Sequence, residues 1–499
     1  MQAILPSTLY SAEQVREMDR LAIEGYNIPG FTLMSRAATA ALNAIKESWP
    51  GQRRLLVVCG SGNNGGDGHL LACQARADGF EVCLVLAGSR DRLVGDAARA
   101  CQEWQACGGE CAGSDNLAAM INNTDIIVDA LLGTGLQREV SGGWAGLIEQ
   151  LNQSRQPVLS IDIPSGLNAD TGSVMGIAVR ADVTVSYIGL KQGMWTASGR
   201  DYCGRIIFDD LGVPEEIYTM VKSDKHILDS ALLSRLLAAR PASCHKGQCG
   251  HVLVAGGDLG MPGAARMAGE SAARAGAGLV SIATRREHAA NLSAGRPELM
   301  CHGVETAGEL DSLIGKATII AIGPGLGSGS WSSAILSRIL QTDMPLVVDA
   351  DALNLLAADP VKRGNWILTP HPGEAARLLD CSSRDIQSDR FTAVQAIAGK
   401  YDCVAVLKGS GSLVYSQHDE QIYCCRDGNP GMATAGMGDV LTGVIAGLAA
   451  QGLSLSEAAC CGVYLHANAA DRAAQKGERG LLATDLFPYI RQLANPERP

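Results

Sequence analysis

Short apolar runs rich in Val and Ile recur along this chain, and almost every one stops at Gly, Asp or Pro before a stretch of helical period. "RRLLVVCG", "FEVCLVLAG", "DIIVDALLG" and "QPVLSIDIPSG" form one series, with "DGHLLACQARADG" and residues 94–107 as helices between them. "GHVLVAGG", "GLVSIATR", "ATIIAIGPGLG", "PLVVDADALN", "WILTPHPGE" and "VAVLKGSGSLV" form a second. Alternating strands and helices of these lengths fold as βαβ units around mostly parallel sheets, so the class is α/β. Such sheets gather their chemistry at the strands' carboxyl ends, which is where the Gly, Asp and Pro residues stand. Residues 215–226 are polar and without a clear period, which predicts a linker. With 499 residues the chain is long enough for two cores and therefore two sites.

Charge removes some partners. The formal net charge is −11 and no Lys/Arg block could track a phosphate backbone, so nucleic acid is not expected. The opening "MQAILPSTLYSAEQVREMDR" lacks the basic start and apolar core of an export signal, and no run of about 18 apolar residues occurs. A soluble, cytoplasmic chain with no membrane partner is expected. The 16 Cys are scattered, several within apolar strands, and no CxxC pair appears, so they read as reduced and structural rather than as a zinc site.

In the carboxyl half, "GNPGMATAGMGDVLTG" places Gly436 to Asp439 at the start of an apolar helix. Free N–H groups there favour an anion, and small residues let phosphate oxygens reach the backbone. Asp439 reads as a helix cap or as a base. "LKGSGS" at 407–412 and "GPGLG" at 323–327 add two more glycine-rich turns after strands, and neither is a P-loop. Lys408 supplies a point charge for phosphate or is a solvated surface residue, and His371 alone could simply order a Pro-bounded turn.

Together with "HKGQCGHVLVAGGDLGMPGAARMAGESAARAGAGLV", "DADALNLL" and "TPHPGEAARLL", these blocks resemble the ADP-dependent NAD(P)H-hydrate dehydratases, a branch of the ribokinase-like fold, over residues 227–495. The resemblance implies that Ala264, Gly325 and His371 contact the hydrated dinucleotide. It implies further that Lys408, Gly409, Ser410, Gly411, Ser412 and Gly438 hold the adenine nucleotide and that Asp439 faces the substrate hydroxyl. ADP as phosphoryl donor and magnesium on its phosphates are implied on the same ground. The chain departs from many relatives in reading "AGMGD" where they have "GGTGD".

In the amino half, "CGSGNNGGDG" at 59–68 follows a strand and opens a helix, but it is not GxGxxG and no acid closes the next strand, so hydride transfer is not supported. With "DALLGTGLQREV" and "DIPSGLNADTG", it resembles the NAD(P)H-hydrate epimerase domain over residues 11–214. That likeness implies a dinucleotide cradle of Asn63, Asn64, Gly65, Gly66, Asp67, Gly133, Thr134, Gly135, Leu136, Gln137, Arg138 and Glu139. It implies Asp162 at the reacting ring, and potassium on Asn64, Asp129 and Ser165. Singly, each of these is also an ordinary turn-former. The chain has "LMSRAA" where relatives often carry an acid, and "KQG" for "KPG"; Lys191 in that segment reads by itself as a surface lysine.

The resemblances thus imply an amino-terminal Rossmann-like three-layer α/β/α epimerase domain (1–214), a linker (215–226) and a carboxyl-terminal ribokinase-like dehydratase domain (227–499). The substrates would be NADH hydrate and NADPH hydrate, with a homo-oligomer expected by likeness only. Two alternatives stand at this level: a ribokinase-like small-molecule kinase, which would leave a stable phosphorylated product, and an amino half that serves only as a binding or scaffold module.

Overall fold

The computed structural model describes residues 5–495. The outermost residues of the two expected domains, 1–4 and 496–499, lie outside the described residues. The chain divides into two compact units, Met1–Lys225 and His226–Pro499.

The first unit is built on seven parallel strands: β1 (Arg54–Cys59), β2 (Glu81–Leu86), β3 (Cys111–Ala112), β4 (Ile126–Ala130), β5 (Val158–Ile161), β6 (Val183–Tyr187) and β7 (Arg205–Asp209). Their order across the sheet is β3-β2-β1-β4-β5-β6-β7. Successive residues of each central strand point to opposite faces. Val57, Leu84, Ile126, Val128 and Leu159 pack into one apolar layer, while Leu56, Val58, Val85 and Ile127 pack into another. A sheet buried on both sides needs such continuous apolar runs, and three layers result. Helices Gly30–Ser48, Asn63–Ala77 and Gly95–Ala106 cover the first face, and Gly142–Gln153 covers the second.

The second unit carries β8 (His251–Ala255), β9 (Leu279–Thr284), β10 (Met300–Gly303), β11 (Ile319–Ile322), β12 (Leu346–Val348), β13 (Trp366–Leu368), β14 (Val404–Leu407), β15 (Ser412–Ser416) and β16 (Gln421–Cys425). They run β10-β9-β8-β11-β12-β13-β14-β15-β16, parallel as far as β14 and antiparallel for the last two. In both sheets the order reverses beside the first strand to form a crevice, between β1 and β4 and between β8 and β11. These are the topological switch points of open α/β sheets. Helix Met437–Ala450 is apolar all round because it is buried, packed against Pro262–Ala275 and against Leu455–Ala473.

The segment expected as a linker is folded. Glu216–Met220 is a short helix, Ile217 and Val221 are buried in the first unit's core, and the Tyr218 hydroxyl donates to the Ile188 carbonyl at 2.8 Å. One helical turn buries only a few apolar residues, too few to give a visible period. Strands β6 and β16 were likewise absent from the runs picked out above. Among the described residues no helix is long and apolar enough to cross a membrane.

Gly443 marks the closest helix contact. A Cβ there would lie 1.9 Å from the Ala268 carbonyl oxygen and 2.1 Å from Ser271 Oγ. Gly443→Ala is therefore expected to destabilise the carboxyl unit by about 1–3 kcal/mol through overpacking. A thermal unfolding midpoint equal to that of the unmodified chain would contradict this packing.

Candidate active sites

A cavity of about 1180 Å³ opens in the first unit at the carboxyl ends of β1 and β4. The cavity exists because β1 and β4 come very close just past their ends: a Cβ on Gly60 would stand 2.0 Å from the Leu131 carbonyl oxygen. Asn63, Asn64, Asp67 and the whole of Gly133–Glu139 line it, as does Asp162. Gly65 and Gly66 do not line it. They are buried inside the first helical turn, where a Cβ would meet the Gly60 carbonyl at 2.0 Å or the Met34 sulfur at 2.8 Å.

Asp162 follows β5 with φ +65°, a left-handed conformation that turns its carboxylate out of the sheet. Lys191 reaches it from the two-residue strand Leu190–Lys191, which pairs in parallel with Thr8–Tyr10. This lysine is fully buried, not a surface residue, and its ammonium donates to Asp162, to Ser186 Oγ at 3.1 Å and to the Tyr187 carbonyl at 3.0 Å. Two further acids share the cavity wall. Burial and the Asp162 charge push Asp19 up to about 6 against the pull of Lys191, and burial with the charges of Asp162 and Asp19 raises Asp67 well above the carboxylate range. The site thus holds a fixed ion pair beside two carboxyls whose ionisation is disfavoured, a combination that suits acid and base steps. Sequence reading missed Asp19; its only signal was its place on the amphipathic helix Ala12–Arg20.

Of the residues implied for potassium, Asp129 and Ser165 are hydrogen-bonded to each other. Asp129 is fully buried and accepts from Ser160 Oγ at 2.8 Å, the Ser165 N–H at 2.9 Å and Ser165 Oγ at 2.6 Å. Burial raises its carboxyl, while these donors hold it back toward the ionised form. Asn64 lies 8% exposed with both amide atoms buried and unpartnered, against Gly133. An orphaned amide oxygen, a buried carboxylate and a hydroxyl are oxygen donors of the kind that suits a hard cation.

The second site lies past β8, β11, β12, β13 and β14. Gly256 repeats the close approach seen at Gly60: its Cβ would be 2.1 Å from the Pro324 carbonyl oxygen. Ala264 and Gly325 are neighbours, with the Ala264 Cβ 3.1 Å from where a side chain on Gly325 would begin. Gly436 caps helix Met437–Ala450 at φ +91°, which sets Gly438 and Asp439 in its first turn.

Lys408 is not solvated as a surface lysine would be. Its Nζ donates to Asp349 Oδ1 at 2.6 Å and stands 3.8 Å from Glu374 Oε2, and a side chain on Gly438 would press on it at 3.3 Å. Burial opposes its charge, yet Asp349, Glu374 and Asp439 hold the ammonium above its usual range. Asp349 is fully buried; against that burial Lys408 and the Thr442 hydroxyl hold it below the usual carboxylate range. Asp439 is pushed up to about 7 by burial and by the Asp349 charge, partly offset by Lys408. His371 caps helix Pro372–Leu379: its Nδ1 accepts from the N–H groups of Gly373 at 2.9 Å and Glu374 at 3.3 Å, and its Nε2 stands 3.4 Å from Glu374 Oε1 on an exposed side chain. The "KGSGS" loop is held from beneath by fully buried Arg390, which donates to the carbonyls of Leu407, Lys408 and Gly411 at 3.1, 3.2 and 3.4 Å. Asp349, Glu374 and Arg390 were not singled out by sequence. For the first two the signal was present, since "DADALN" and "TPHPGE" both place acids just past strands.

Two α/β units, each with a charged crevice at its switch point and glycine-lined helix starts, define a two-site enzyme that handles anionic nucleotides. Residues 252–492 match the family model described as NAD(P)H-hydrate dehydratase, and residues 30–193 the one described as YjeF-related protein N-terminus. The chain is 49% identical over 497 residues to the bifunctional NAD(P)H-hydrate repair enzyme Nnr of Coxiella burnetii, covering 98% of this chain and 100% of the relative. It is 43% identical over 494 residues to the enzyme of that name from Escherichia coli, covering 99% of this chain and 95% of the relative. Among solved structures, a ribokinase-like superfamily protein from Enterococcus faecalis superposes with a TM-score of 0.51 at 28% identity, covering 55% of this chain and 96% of its own. The chain belongs to the family of bifunctional NAD(P)H-hydrate repair enzymes.

The raised Asp439 carboxyl has a stability consequence. Its folded value near 7 lies above an unfolded value of about 3.9. The folded state therefore keeps the proton longer, and stability falls as pH rises between those values. Asp439→Asn removes that penalty, so the variant is expected to gain stability over the unmodified chain at pH 8 and not at pH 4. Urea unfolding at the two pH values measures it; an equal difference at both would contradict the assignment.

Proposed function

We propose that the two units repair hydrated NADH and NADPH in sequence. The amino unit interconverts the R and S hydrates, and the carboxyl unit dehydrates the S form with ADP, releasing AMP and phosphate. The observation that carries this reading is Asp439: a carboxyl pushed up to about 7, at a glycine-lined helix start and coupled to the Lys408–Asp349 pair.

In the carboxyl unit, Asp439 accepts the proton of the substrate hydroxyl, whose oxygen attacks the terminal phosphoryl of ADP. The N–H groups at the start of helix Met437–Ala450 and the Lys408 ammonium face the charge that develops. Phosphate is a far better leaving group than hydroxide: the ring nitrogen's lone pair expels it from C6 to leave an iminium ion, and loss of a C5 proton to the departing phosphate restores the C5=C6 double bond. Bound magnesium would neutralise the nucleotide phosphates, and Asp351 and Asp439, whose charges interact in the site, would offer it carboxylate oxygens. Ala264, Gly325 and His371 line the dinucleotide side, and Gly409 to Ser412 the adenine nucleotide side.

In the amino unit, the proton shared by the Lys191–Asp162 pair passes through the Asp162 carboxyl to the departing hydroxide, and the Asp162 carboxylate later takes a proton back from the water that returns to either face of the iminium ring. Lys191 fixes the Asp162 carboxylate, and Asn63, Asn64, Asp67 and Gly133 to Glu139 hold the dinucleotide. Asn64, Asp129 and Ser165 would hold potassium, which supplies fixed positive charge beside the cradle. The kinase alternative is not favoured, because the chain's relatives share both halves over nearly their whole length.

Dehydration should rise with pH through about 7 and level off above, as Asp439 ionises. Asp439→Asn should lower its rate by about 100- to 10,000-fold. A rate that falls across this range would oppose Asp439 as base.

Recovery of reduced-nicotinamide absorbance from mixed R and S NADH hydrates with ADP, magnesium and potassium should be complete. With Asp162→Ala it should stop at the S fraction. Complete, equally fast recovery in that variant would remove Asp162 from the mechanism, and a stable phosphorylated product would restore the kinase reading.

A further inference from the structure

Beneath the amino-unit cradle, on the side of the sheet away from Asp129, lies a cluster that neither reaction uses. A ring nitrogen of His69 and the sulfurs of Cys101 and Cys111 lie within 4.8 Å of one another. His69 is fully buried and Cys101 is 3% exposed. The three residues come from different elements: His69 from helix Asn63–Ala77, Cys101 from helix Gly95–Ala106 and Cys111 from the edge strand β3. Sequence reading saw only scattered cysteines, because nothing in their spacing shows that β3 returns past both helices.

His69 carries the second, independent observation. Its Nδ1 lies 2.7 Å from the Gly65 carbonyl oxygen, an acceptor only, so Nδ1 bears the proton and Nε2 the lone pair. Nε2 is buried and has no hydrogen-bond partner. A buried acceptor without a donor costs free energy, whereas an imidazole with one nitrogen donating to a carbonyl and the other bare has the arrangement of a metal-ligating histidine. We propose that His69, Cys101 and Cys111 form a zinc site.

The donor set selects the metal class. Two sulfurs and an imidazole are soft to borderline and disfavour magnesium, calcium or potassium. Two thiolates neutralise a divalent ion, so the filled site with these three ligands carries no net charge into a buried region. A tetrahedral zinc ion with bonds of about 2.0–2.3 Å requires a tighter cluster than 4.8 Å, within reach of small side-chain movements. Burial pushes Cys101 up to about 11. Without metal the Cys101 thiol is therefore protonated, and binding releases its proton to solvent. The ion would pin β3, a two-residue strand, to the helix whose first two turns carry Asn63, Asn64 and Asp67.

The test uses the full-length reduced chain, loaded with zinc and separately with cobalt(II), then freed of loosely held metal by gel filtration. Expected are one zinc per chain and a thiolate-to-cobalt charge-transfer band. Both should be lost in Cys101→Ser and in Cys111→Ser, weakened at least tenfold in affinity in His69→Gln, and kept in a Cys244→Ser/Cys249→Ser control. The control removes another thiol pair, 3.4 Å apart in the carboxyl unit. If Cys101→Ser does not fold, Cys111→Ser on the edge strand carries the same test. A chain that binds no cobalt through thiolate, or a band that survives both single substitutions or vanishes in the control, overturns the site.

Discussion

Both units depend on one steric constraint, the close approach of two loops just beyond the carboxyl ends of the strands that flank the sheet's reversal. At Gly60 the Leu131 carbonyl leaves no room for a Cβ, and at Gly256 the Pro324 carbonyl does the same. That approach brings the loop after one strand against the loop after its neighbour and forms the floor of each crevice. A side chain at either position would wedge the strands apart, and the residues that meet above them would lose their common origin. Gly133 to Glu139 can face Asn63 and Asp67, and Gly325 can face Ala264, only because this floor is bare backbone.

On that floor the two units arrive separately at the same electrostatic device. A buried ammonium is paired with a carboxylate, Lys191 with Asp162 and Lys408 with Asp349. A second carboxyl nearby is denied easy ionisation by burial and by the first carboxylate, with Asp19 near 6 and Asp439 near 7. Isolated buried charges would be prohibitively costly, and the pairs offset that cost while leaving a neighbour poised near neutral pH. In the proposed reactions the roles are distributed differently: the paired acid, Asp162, would face the ring in the amino unit, and the unpaired one, Asp439, would face the substrate hydroxyl in the carboxyl unit. The supporting shells differ as well, hydroxyls and backbone around Asp129 in one and the Arg390 guanidinium under the "KGSGS" loop in the other.

By itself the sequence determined the α/β class, the two series of strands, and the loops that carry the chemistry. Val- and Ile-rich runs ending in Gly, Asp or Pro are local signals, set by strand propensity and by turns that exclude larger residues. Asp439 and Asp162 were legible for that reason, as was the helix start at Gly436. Only the tertiary structure decided which distant groups meet. Lys191 looked like a surface residue because its partner Asp162 lies far along the chain, and Lys408 was undecided until Asp349 came beside it. Asp19 sits on a helix before the first sheet strand, and the segment 215–226 looked like a linker until Ile217 and Val221 were seen in the core. Strand propensity acts on neighbours in sequence, whereas burial, charge pairing and the His69–Cys101–Cys111 cluster depend on strand order, which no local pattern specifies.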